Sequence, residues 1–359
     1  MRGTLHVPAS SFIGRTSELE ALAGFFQKGH RLVTIWGAGG VGKTRLALEH
    51  ARRSNLTSWA VDLASARSGH AGVAAAIAQA LDVPITPARR EAEVVEQIAR
   101  SLAARGRMLW VLDGFEHLIE AASVLEIWLA AAPELQLLVT SRERLRIPGE
   151  VTLELAPLAT EANVEPVSDR RGADARGSEA ARLFAARASE AGVAGVALDD
   201  PRVQSLVAEL EGIPLAIELA AARLDVLGLT GLVERLCSSQ LDVLSRGSRG
   251  ARPRAATMRG AIAWSWELLS ADEQRALAEC AVFRGGFTLE AAEHVLSVGP
   301  VLDLVSALRD KSLVVVRAPP RLASRPRARL RRARRASRST RACASSPSRS
   351  SARPTRAAP

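Results

Sequence analysis

The chain contains the segment Gly37-Ala38-Gly39-Gly40-Val41-Gly42-Lys43-Thr44. It matches the pattern G-x-x-x-x-G-K-[ST], in which glycines let successive backbone N–H groups point at phosphate oxygens. An apolar run, residues 32–36, leads into the segment, and residues 43–52 continue with helical spacing. The positive end of that helix dipole would then face the phosphates. The pattern predicts a P-loop that binds a nucleotide; a glycine-rich turn with only a structural role is the alternative.

Two side chains of this segment bring specific chemistry. Lys43 supplies a positive charge at the β- and γ-phosphates, and the hydroxyl of Thr44 is suited to ligate Mg²⁺. We therefore expect Lys43 to be catalytic. We expect the nucleotide to be bound by Gly37, Gly39, Gly40, Val41, Gly42, Lys43, Thr44 and Arg45.

A carboxylate that completes the Mg²⁺ site is expected at the end of another strand. Residues 108–112 are apolar and are followed directly by Asp113, the arrangement of a Walker-B strand. We expect Thr44 and Asp113 to hold Mg²⁺ and Asp113 to be catalytic; an aspartate that only caps the turn is the alternative. Glu116, in the same turn, either orients an attacking water as a catalytic residue or is a solvated residue of a first helical turn.

An arginine follows a third apolar run, residues 135–140. Arg142 stands at the carboxyl end of this strand, which is the edge where parallel sheets bind ligands. We expect Arg142 to be catalytic and to contact the γ-phosphate, which would distinguish ATP from ADP. The alternative is that Arg142, Arg144 and Arg146 form a solvated basic loop.

Strand-like and helical segments alternate in the first half of the chain, which predicts an α/β fold with a parallel sheet and helices on both faces. The strands are apolar throughout, as expected when both faces are covered. The strand-like runs are residues 31–36, 57–63, 108–112, 135–140 and 151–155, and the helical patterns are 43–52, 71–81, 91–104 and 118–131.

Strand signals largely stop after a polar linker. Helical patterns at 178–191, 201–210, 215–224 and 229–236 predict a helical lid domain. A winged-helix-like unit is predicted from a helix at 258–269, a capping box of Ser270 with Glu273, a helix capped by Thr288, a helix at 301–309 and a strand at 313–316. The predicted domains are a P-loop nucleotide-binding domain at 1–158, the linker at 159–177, the lid at 178–250, the winged-helix-like domain at 251–316 and a tail at 317–359.

The net charge of +10 is concentrated in this tail. Residues 317–359 contain 14 Arg and no Lys, Asp or Glu, whereas residues 1–316 carry 34 basic and 38 acidic groups. The tail has too few large apolar residues to offset the entropy of ordering, and we expect it to be disordered. Two interpretations stay open: an arm that neutralises nucleic-acid phosphates, or a low-complexity or frameshifted end. The abrupt change of composition after Val316 favours the second.

Other features exclude several classes of protein. The first 14 residues lack the apolar core of a secretory signal, and no run approaches the roughly 18 uncharged apolar residues of a membrane span. Cys237, Cys280 and Cys343 are isolated, which excludes a disulfide framework and a cysteine zinc site. We expect a cytoplasmic protein with no membrane partner.

Taken together, five ordered motifs resemble the STAND class of P-loop ATPases, in particular the bacterial NB-ARC-like ATPases found in LuxR- and AfsR-type regulators. The resemblance covers about residues 10–316. Its motifs are Phe12-Ile13-Gly14-Arg15 with Glu18-Leu19, the P-loop, the strand ending in Asp113, the sensor-1 element Thr140-Ser141-Arg142, and Gly212-Ile213-Pro214-Leu215-Ala216.

The resemblance implies a sheet in which the strand before Arg142 lies between the P-loop strand and the Asp113 strand. It also implies that the backbone of Ile13, Gly14 and Arg15 lies along the adenine and that Pro214 packs on the base. ADP would keep the protein closed, ATP would open it and permit homo-oligomerisation, and slow hydrolysis would reset it. Gly114 stands where the family usually has Asn or Asp, which weakens the case for efficient hydrolysis.

Three functions remain compatible with the sequence. The first is an ADP/ATP-dependent switch with weak ATPase activity in signalling or transcriptional regulation. The second is a DNA-binding transcriptional regulator that uses the winged helix and the basic tail. The third is a truncated fragment that binds nucleotide without an output. Nucleic acid is not the favoured partner, because the charge excess lies outside the folded part.

Overall fold

The computed structural model of the protein describes residues 9–85, 90–161, 177–243, 262, 266–267, 269–283, 286–311 and 313–314, without the side chains of 237–243. All of these lie in one compact unit, Met1–Val316. Most of the predicted linker, eight of the twelve residues of the predicted helix at 258–269 and the whole tail at 317–359 lie outside the described residues. Within the part that is described, each helix is too short or too polar to cross a bilayer.

A parallel five-stranded sheet forms the centre of the first half. Its strands are β1 (Leu32–Trp36), β2 (Thr57–Asp62), β3 (Met108–Asp113), β4 (Leu135–Ser141) and β5 (Glu150–Glu154), in the order β2-β3-β4-β1-β5. Every pairing is parallel. The prediction of a parallel sheet is confirmed, and so is the position of β4 between the P-loop strand β1 and the strand β3 that ends in Asp113.

Helices cover both faces of this sheet because the side chains of the central strands alternate between two apolar cores. On β3, Leu109 and Val111 pack into the core with α1 (Thr16–Gln27) and α2 (Lys43–Arg53). Trp110 and Leu112 point the other way, into the core with α3 (His70–Leu81), α4 (Glu91–Ala103) and α5 (Ser123–Ala131). The predicted coverage is correct for the fully buried strands β1 and β3. The edge strands β2 and β5 are only partly buried, although β2 still places Trp59 against one core and Ala60 against the other.

The predicted helix at 118–131 is wrong over its first turn. The chain forms two short 3-10 turns, Phe115–His117 and Ile119–Ala121, before α5 begins at Ser123. Leu118 has a φ of −118° and a ψ of 12°, outside the α-helical range, so the hydrogen bonds close over three residues instead of four. The helix-like spacing of apolar residues in this segment arises because Leu118 is buried in the core, and not because the helix is continuous there.

A second helical group follows the sheet. It consists of α6 (Glu179–Glu190), α7 (Pro201–Glu209), α8 (Pro214–Ala221) and α9 (Leu224–Val243). Its apolar core also contains Leu158, which comes directly after the sheet. The predicted helices at 178–191, 201–210 and 215–224 match within about three residues, whereas the one at 229–236 is part of the longer α9.

The last described helices are α10 (Ala271–Cys280), α11 (Leu289–Val295) and α12 (Val301–Asp310), which share a small apolar core. The predicted capping box is present: the Ser270 N–H donates to Glu273 at 2.7 Å, and the Glu273 N–H donates to the Ser270 hydroxyl at 3.3 Å. Thr288 caps α11 as predicted. Leu313 and Val314 form a bend where a strand was expected, and residues 315–316 lie outside the described part. A winged helix therefore stays a prediction.

Candidate functional site

Three neighbouring strands of the sheet bring the predicted site residues together at the carboxyl ends of the strands. The carboxyl end of β1 leads into the P-loop, β3 ends at Asp113, and β4 leads to Arg142. Asp113 pairs with Thr140 in the sheet register, and Trp36 pairs with Ser141. Since the strands are parallel, all three segments meet at the same end of the sheet.

Glycines give the P-loop its shape because other backbone and side-chain groups lie very close to it. A β-carbon on Gly37 would lie 2.6 Å from the carbonyl oxygen of Leu155. Gly40 has a φ of +79°, which L-residues rarely adopt, and its β-carbon would lie 3.0 Å from Cβ of Leu215. A tight loop is thus held between β5 and the start of α8.

Lys43 turns its ammonium group back over the P-loop. Its Nζ donates hydrogen bonds to the carbonyl oxygens of Gly37 at 2.8 Å and Ala38 at 2.9 Å. Removal from water lowers the pKa of Lys43 to about 8, with the charges of Glu116 and Asp113 opposing this shift and that of Arg142 adding to it. An anion in the loop would favour the charged form of this lysine.

The two predicted Mg²⁺ ligands are in direct contact. The Thr44 hydroxyl donates to Oδ1 of Asp113 at 2.5 Å, and Asp113 is buried. A hydroxyl and one carboxylate fit Mg²⁺, which is usually bound by one or two carboxylates together with substrate phosphates and water. The described residues contain no group of three or more His, Cys, Asp or Glu that could hold a metal, so an all-protein metal cage is absent from this part of the chain.

Thr140 also holds Asp113; the sequence places it in the sensor-1 element but assigns it no role of its own. Its hydroxyl donates to Oδ1 of Asp113 at 2.6 Å and accepts a hydrogen bond from the Gly114 N–H at 3.1 Å. Thr140 is fully buried. Its place two residues before Arg142 was the one signal available in the sequence.

Arg142 and Glu116 form an ion pair beside the P-loop. Nε of Arg142 lies 3.6 Å from Oε1 of Glu116, and the two side chains are 11% and 13% exposed. Burial lowers the pKa of Arg142, and the charge of Glu116 raises it. The guanidinium also reaches the loop itself, since its Nη2 lies 3.5 Å from the position that a β-carbon on Gly39 would take. The structure thus brings Arg142 and Glu116 together at the same loop as Lys43.

The segment from Ile13 to Arg15 lies between the P-loop and the second helical group. Nη2 of Arg15 donates to the carbonyl oxygens of Val41 at 3.3 Å and Ala156 at 2.6 Å, and its backbone N–H donates to Glu179 at 3.2 Å. Arg15 is 6% exposed. Gly14 has a φ of +71°, and Ile13 packs on the core of α6 to α9. The guanidinium of Arg15 therefore joins the P-loop, through Val41, to the segment that follows β5, through Ala156.

Arg45 reaches the same N-terminal segment. It donates a hydrogen bond to the carbonyl oxygen of Ser10 and lies 6.0 Å from the ring centroid of Phe12. A cavity of about 310 Å³ opens beside this contact. The cavity is lined by Ala9, Ser10, Phe12, Arg45, Glu49, Arg52 and Arg53.

Pro214 brings the second helical group onto the P-loop. It is the first residue of α8, and its ring lies 3.8 Å from the position of a β-carbon on Gly42. The following N–H, that of Leu215, donates to the carbonyl oxygen of Gly40 at 3.2 Å. The site therefore lies between the carboxyl ends of the strands on one side and α8 on the other. Nε2 of His117 contacts the carbonyl oxygen of Ala66 at 3.1 Å.

A P-loop whose lysine turns back over the loop and whose threonine contacts the strand-end aspartate, on a sheet of this order, defines a P-loop ATPase. A family model described as an AAA domain matches residues 27–145. The chain belongs to the family of "Uncharacterized protein Rv0894" of Mycobacterium tuberculosis, to which it is 32% identical over 322 residues, 86% of this chain and 76% of that protein.

A longer relative and a solved structure are also similar to the chain. It is 38% identical over 296 residues to "Putative HTH-type transcriptional regulator Rv0890c" of Mycobacterium tuberculosis, which is 80% of this chain but only 31% of that protein. The chain thus spans about a third of the length of that relative. The Walker-type ATPase Paby2304 of Pyrococcus abyssi has a TM-score of 0.54 at 14% identity, over 87% of this chain and 93% of that one. This likeness supports the fold.

Proposed function

We propose that the chain is a nucleotide-dependent switch that binds ADP or ATP with Mg²⁺ and hydrolyses ATP slowly. The observation that carries this proposal is the contact between α8 and the P-loop, in which the Leu215 N–H binds the Gly40 carbonyl at 3.2 Å. Because groups from the sheet domain and from the helical group surround one loop, the phosphates bound there would bias how these groups pack together.

Each polar residue of the site has a defined task in this proposal. The Lys43 ammonium would exchange its two backbone carbonyl partners for phosphate oxygens. Backbone N–H groups of the P-loop would bind the other phosphate oxygens. Thr44 and Asp113 would hold Mg²⁺, which neutralises phosphate charge when bound. Arg142 would move from Glu116 toward the γ-phosphate, which is present in ATP and absent in ADP.

Slow hydrolysis follows from the residues after β3. Gly114 provides no side chain beside Asp113, and Glu116 is paired with Arg142 at 3.6 Å. A general base must be able to reach the attacking water, and Glu116 could do so only after Arg142 has turned to the phosphate. We therefore propose a weak ATPase whose turnover resets the switch.

The remaining parts of the proposal concern organisation and partners. We propose residues 1–158 as the nucleotide-binding domain, 178–250 as the lid and 251–316 as a winged-helix-like domain, and we propose that the ATP state self-associates. Membership of the NB-ARC-like branch of STAND proteins belongs to the same proposal. It is supported by the N-terminal segment and by Pro214, which both lie against the P-loop.

A second candidate function is DNA-binding transcriptional regulation. It is favoured by the name of the longer relative, which is described as an HTH-type transcriptional regulator. The measurement that separates it from the first is DNA binding at moderate salt by the chain lacking residues 317–359, because an arginine-rich tail alone binds DNA in a strongly salt-dependent way.

The experiment that tests the switch identifies and exchanges its nucleotide. The freshly purified protein is denatured and the released nucleotide is identified by chromatography, and Kd values for ADP and ATP are then measured with Mg²⁺ by calorimetry. We expect adenine nucleotide in the released fraction and binding of both. Absence of any released nucleotide together with no measurable binding would refute the proposal.

A further inference from the structure

The cavity beside α2 is lined by charged side chains, most of which have no task in the proposed switch. Its volume is about 310 Å³. Four of its lining residues lie on α2 with the spacing i, i+4, i+7 and i+8, which places them on one side of the helix. They are Arg45, Glu49, Arg52 and Arg53. The N-terminal segment, with Ser10 and Phe12, forms the opposite wall.

This cavity is separate from the nucleotide site. Among the described residues, those that line it include neither the P-loop segment 37–44 nor Pro214. Phe12 packs against the apolar core of α1 and α2, whereas its neighbour Ile13 packs against the core of α6 to α9. The two side chains therefore point to different parts of the molecule, and the cavity lies on the side of Phe12.

Glu49 holds two of the arginines of the cavity in place. Its Oε1 accepts hydrogen bonds from Nη2 of Arg52 at 2.7 Å and from Nε of Arg53 at 2.8 Å, and its Oε2 accepts one from Nε of Arg52 at 2.9 Å. Glu49 is 3% exposed. Hydrogen bonds from Arg52 and then from Arg53 lower its pKa to about 2, although burial opposes this shift. A charged, buried carboxylate thus orients two guanidinium groups before any ligand binds, which reduces the cost of ordering them.

Both guanidinium groups keep N–H donors for another anion. A guanidinium has five N–H donors, and Glu49 uses Nε and Nη2 of Arg52 but only Nε of Arg53. In the part of the chain that the structure describes, no hydrogen bond occupies Nη1 of Arg52 or either Nη group of Arg53. The two side chains are 55% and 54% exposed, so these donors are accessible from the cavity.

The charge and size of the cavity indicate the kind of ligand. Its three arginines and one glutamate give a net charge of +2, and a phosphate monoester carries about −1.5 to −2 at pH 7. The guanidinium carbons of Arg45 and Arg53 each lie 6.0 Å from the ring centroid of Phe12, which adds a partly buried apolar wall. The volume is at the lower end of the roughly 300–1,000 Å³ of small-molecule sites. It leaves room for a phosphate group and a small organic part.

We propose that this cavity binds a small phosphate monoester, with the phosphate on the guanidinium groups of Arg52 and Arg53 and the organic part against Phe12. Arginine N–H groups held in a fixed direction match the oxygens of a phosphate dianion. A sulfate ester of the same shape carries one charge less and is bound more weakly. Arg52 and Arg53 have no task in the proposed switch, so this site is a further binding function of the chain.

The experiment measures binding of phenyl phosphate by calorimetry on the full chain, at neutral pH and moderate salt. All measurements are made in a Lys43→Ala background as well as in the unmodified chain, because the P-loop also binds phosphate groups. The variants are Arg52→Gln and Arg53→Gln. The matched control is Arg202→Gln, since Arg202 is 56% exposed and also pairs with a carboxylate, that of Asp200.

We expect phenyl phosphate to bind to the Lys43→Ala chain, and phenyl sulfate to bind at least about fivefold more weakly. A charge-assisted hydrogen bond from a half-exposed side chain contributes about 1 kcal/mol, so each glutamine variant should raise the Kd for phenyl phosphate about fivefold. Arg202→Gln should leave it unchanged. Where a glutamine variant does not fold, Arg52→Lys or Arg53→Lys replaces it; either keeps the charge, loses the fork and should also raise the Kd.

Three outcomes would overturn the site. They are no binding in the Lys43→Ala background, equal affinity for phenyl phosphate and phenyl sulfate, and an unchanged Kd in the Arg52 and Arg53 variants. In the first case a probe that still binds the unmodified chain lies in the P-loop. The proposed switch is tested separately by ADP and ATP binding, so its failure would leave each of these outcomes readable.

Discussion

The hydroxyl of Thr140 lies 2.6 Å from Oδ1 of Asp113, the same oxygen that accepts a hydrogen bond from Thr44. Two hydroxyls from different parts of the chain thus fix the rotation of one carboxylate. Because Thr140 is fully buried and also accepts the Gly114 N–H, β4 and β3 are locked together at the point where Mg²⁺ is proposed to bind. The geometry of the proposed metal site is therefore set partly by a residue that is not one of its proposed ligands.

Replacing Thr140 should test this relationship. Thr140→Val removes the hydroxyl with little change of shape and leaves the Gly114 N–H without its acceptor, which should lower the free energy of unfolding by about 1–3 kcal/mol. Loss of an orienting partner typically weakens metal affinity about tenfold or more. We expect the Mg²⁺ concentration needed for half-maximal nucleotide binding to rise by that factor. Thr140→Ser keeps the hydroxyl and should behave like the unmodified chain. An unchanged Mg²⁺ requirement in the valine variant would contradict the assignment.

Removing the P-loop ammonium should abolish nucleotide binding. We expect ADP or ATP with Mg²⁺ to raise the melting temperature of the protein, because a ligand that binds only the folded state stabilises it. Lys43→Ala should eliminate this increase, measured by differential scanning fluorimetry. Lys28→Ala is the matched control, since Lys28 is exposed and lies just after α1. A full shift in the Lys43 variant would place the nucleotide elsewhere.

Nucleotide binding should be linked to protonation of Lys43. Its pKa is lowered to about 8, so the amine is about half neutral at pH 8. Phosphate oxygens favour the charged form, and binding at this pH should take up as much as about half a proton. Affinity should accordingly decrease as the pH rises through 8. Calorimetry of ADP binding at pH 8 in buffers of different ionisation enthalpy measures the uptake. A binding enthalpy independent of the buffer would contradict the lowered pKa.

Two glycine-to-alanine substitutions should have opposite effects. Gly40→Ala puts a side chain on a residue with a φ of +79° and within 3.0 Å of Leu215. The left-handed conformation alone costs about 1–2 kcal/mol, and the contact with α8 should be disturbed, so nucleotide affinity should fall. Gly24→Ala lies within α1 with open space around it and should stabilise by about 0.5–1 kcal/mol. Thermal unfolding and calorimetry of both variants check these signs.

The features that could be predicted from the sequence are formed by residues that are close together along the chain. The P-loop, the buried central strands and the caps at Ser270 and Thr288 each involve residues within a few positions of one another. Local rules for glycine, apolar runs and helix caps therefore locate them. The sheet order is a non-local feature, and it was predicted only through the resemblance to a known family.

The features that were missed depend on tertiary structure. The α1 helix follows Arg15, which has a left-handed φ of +63° and makes no side-chain cap, so the usual start signal is absent. The hydrogen bonds of Thr140 and of Arg15, and the ion pair of Arg146 with Asp310, join segments between 26 and 164 residues apart. No spacing rule in the sequence connects such residues.

The placement of Arg15 also determines how far the chain can be shortened without loss of the P-loop conformation. The AAA domain match begins at residue 27 and ends at residue 145. A protein cut at these borders would lose the guanidinium that holds the Val41 carbonyl, the edge strand β5 with the following Leu155 that lies against Gly37, and α8 with its contact to Gly40. The smallest piece able to keep its phosphate loop in shape must therefore begin before Arg15 and extend through α8, well outside the borders of the family match.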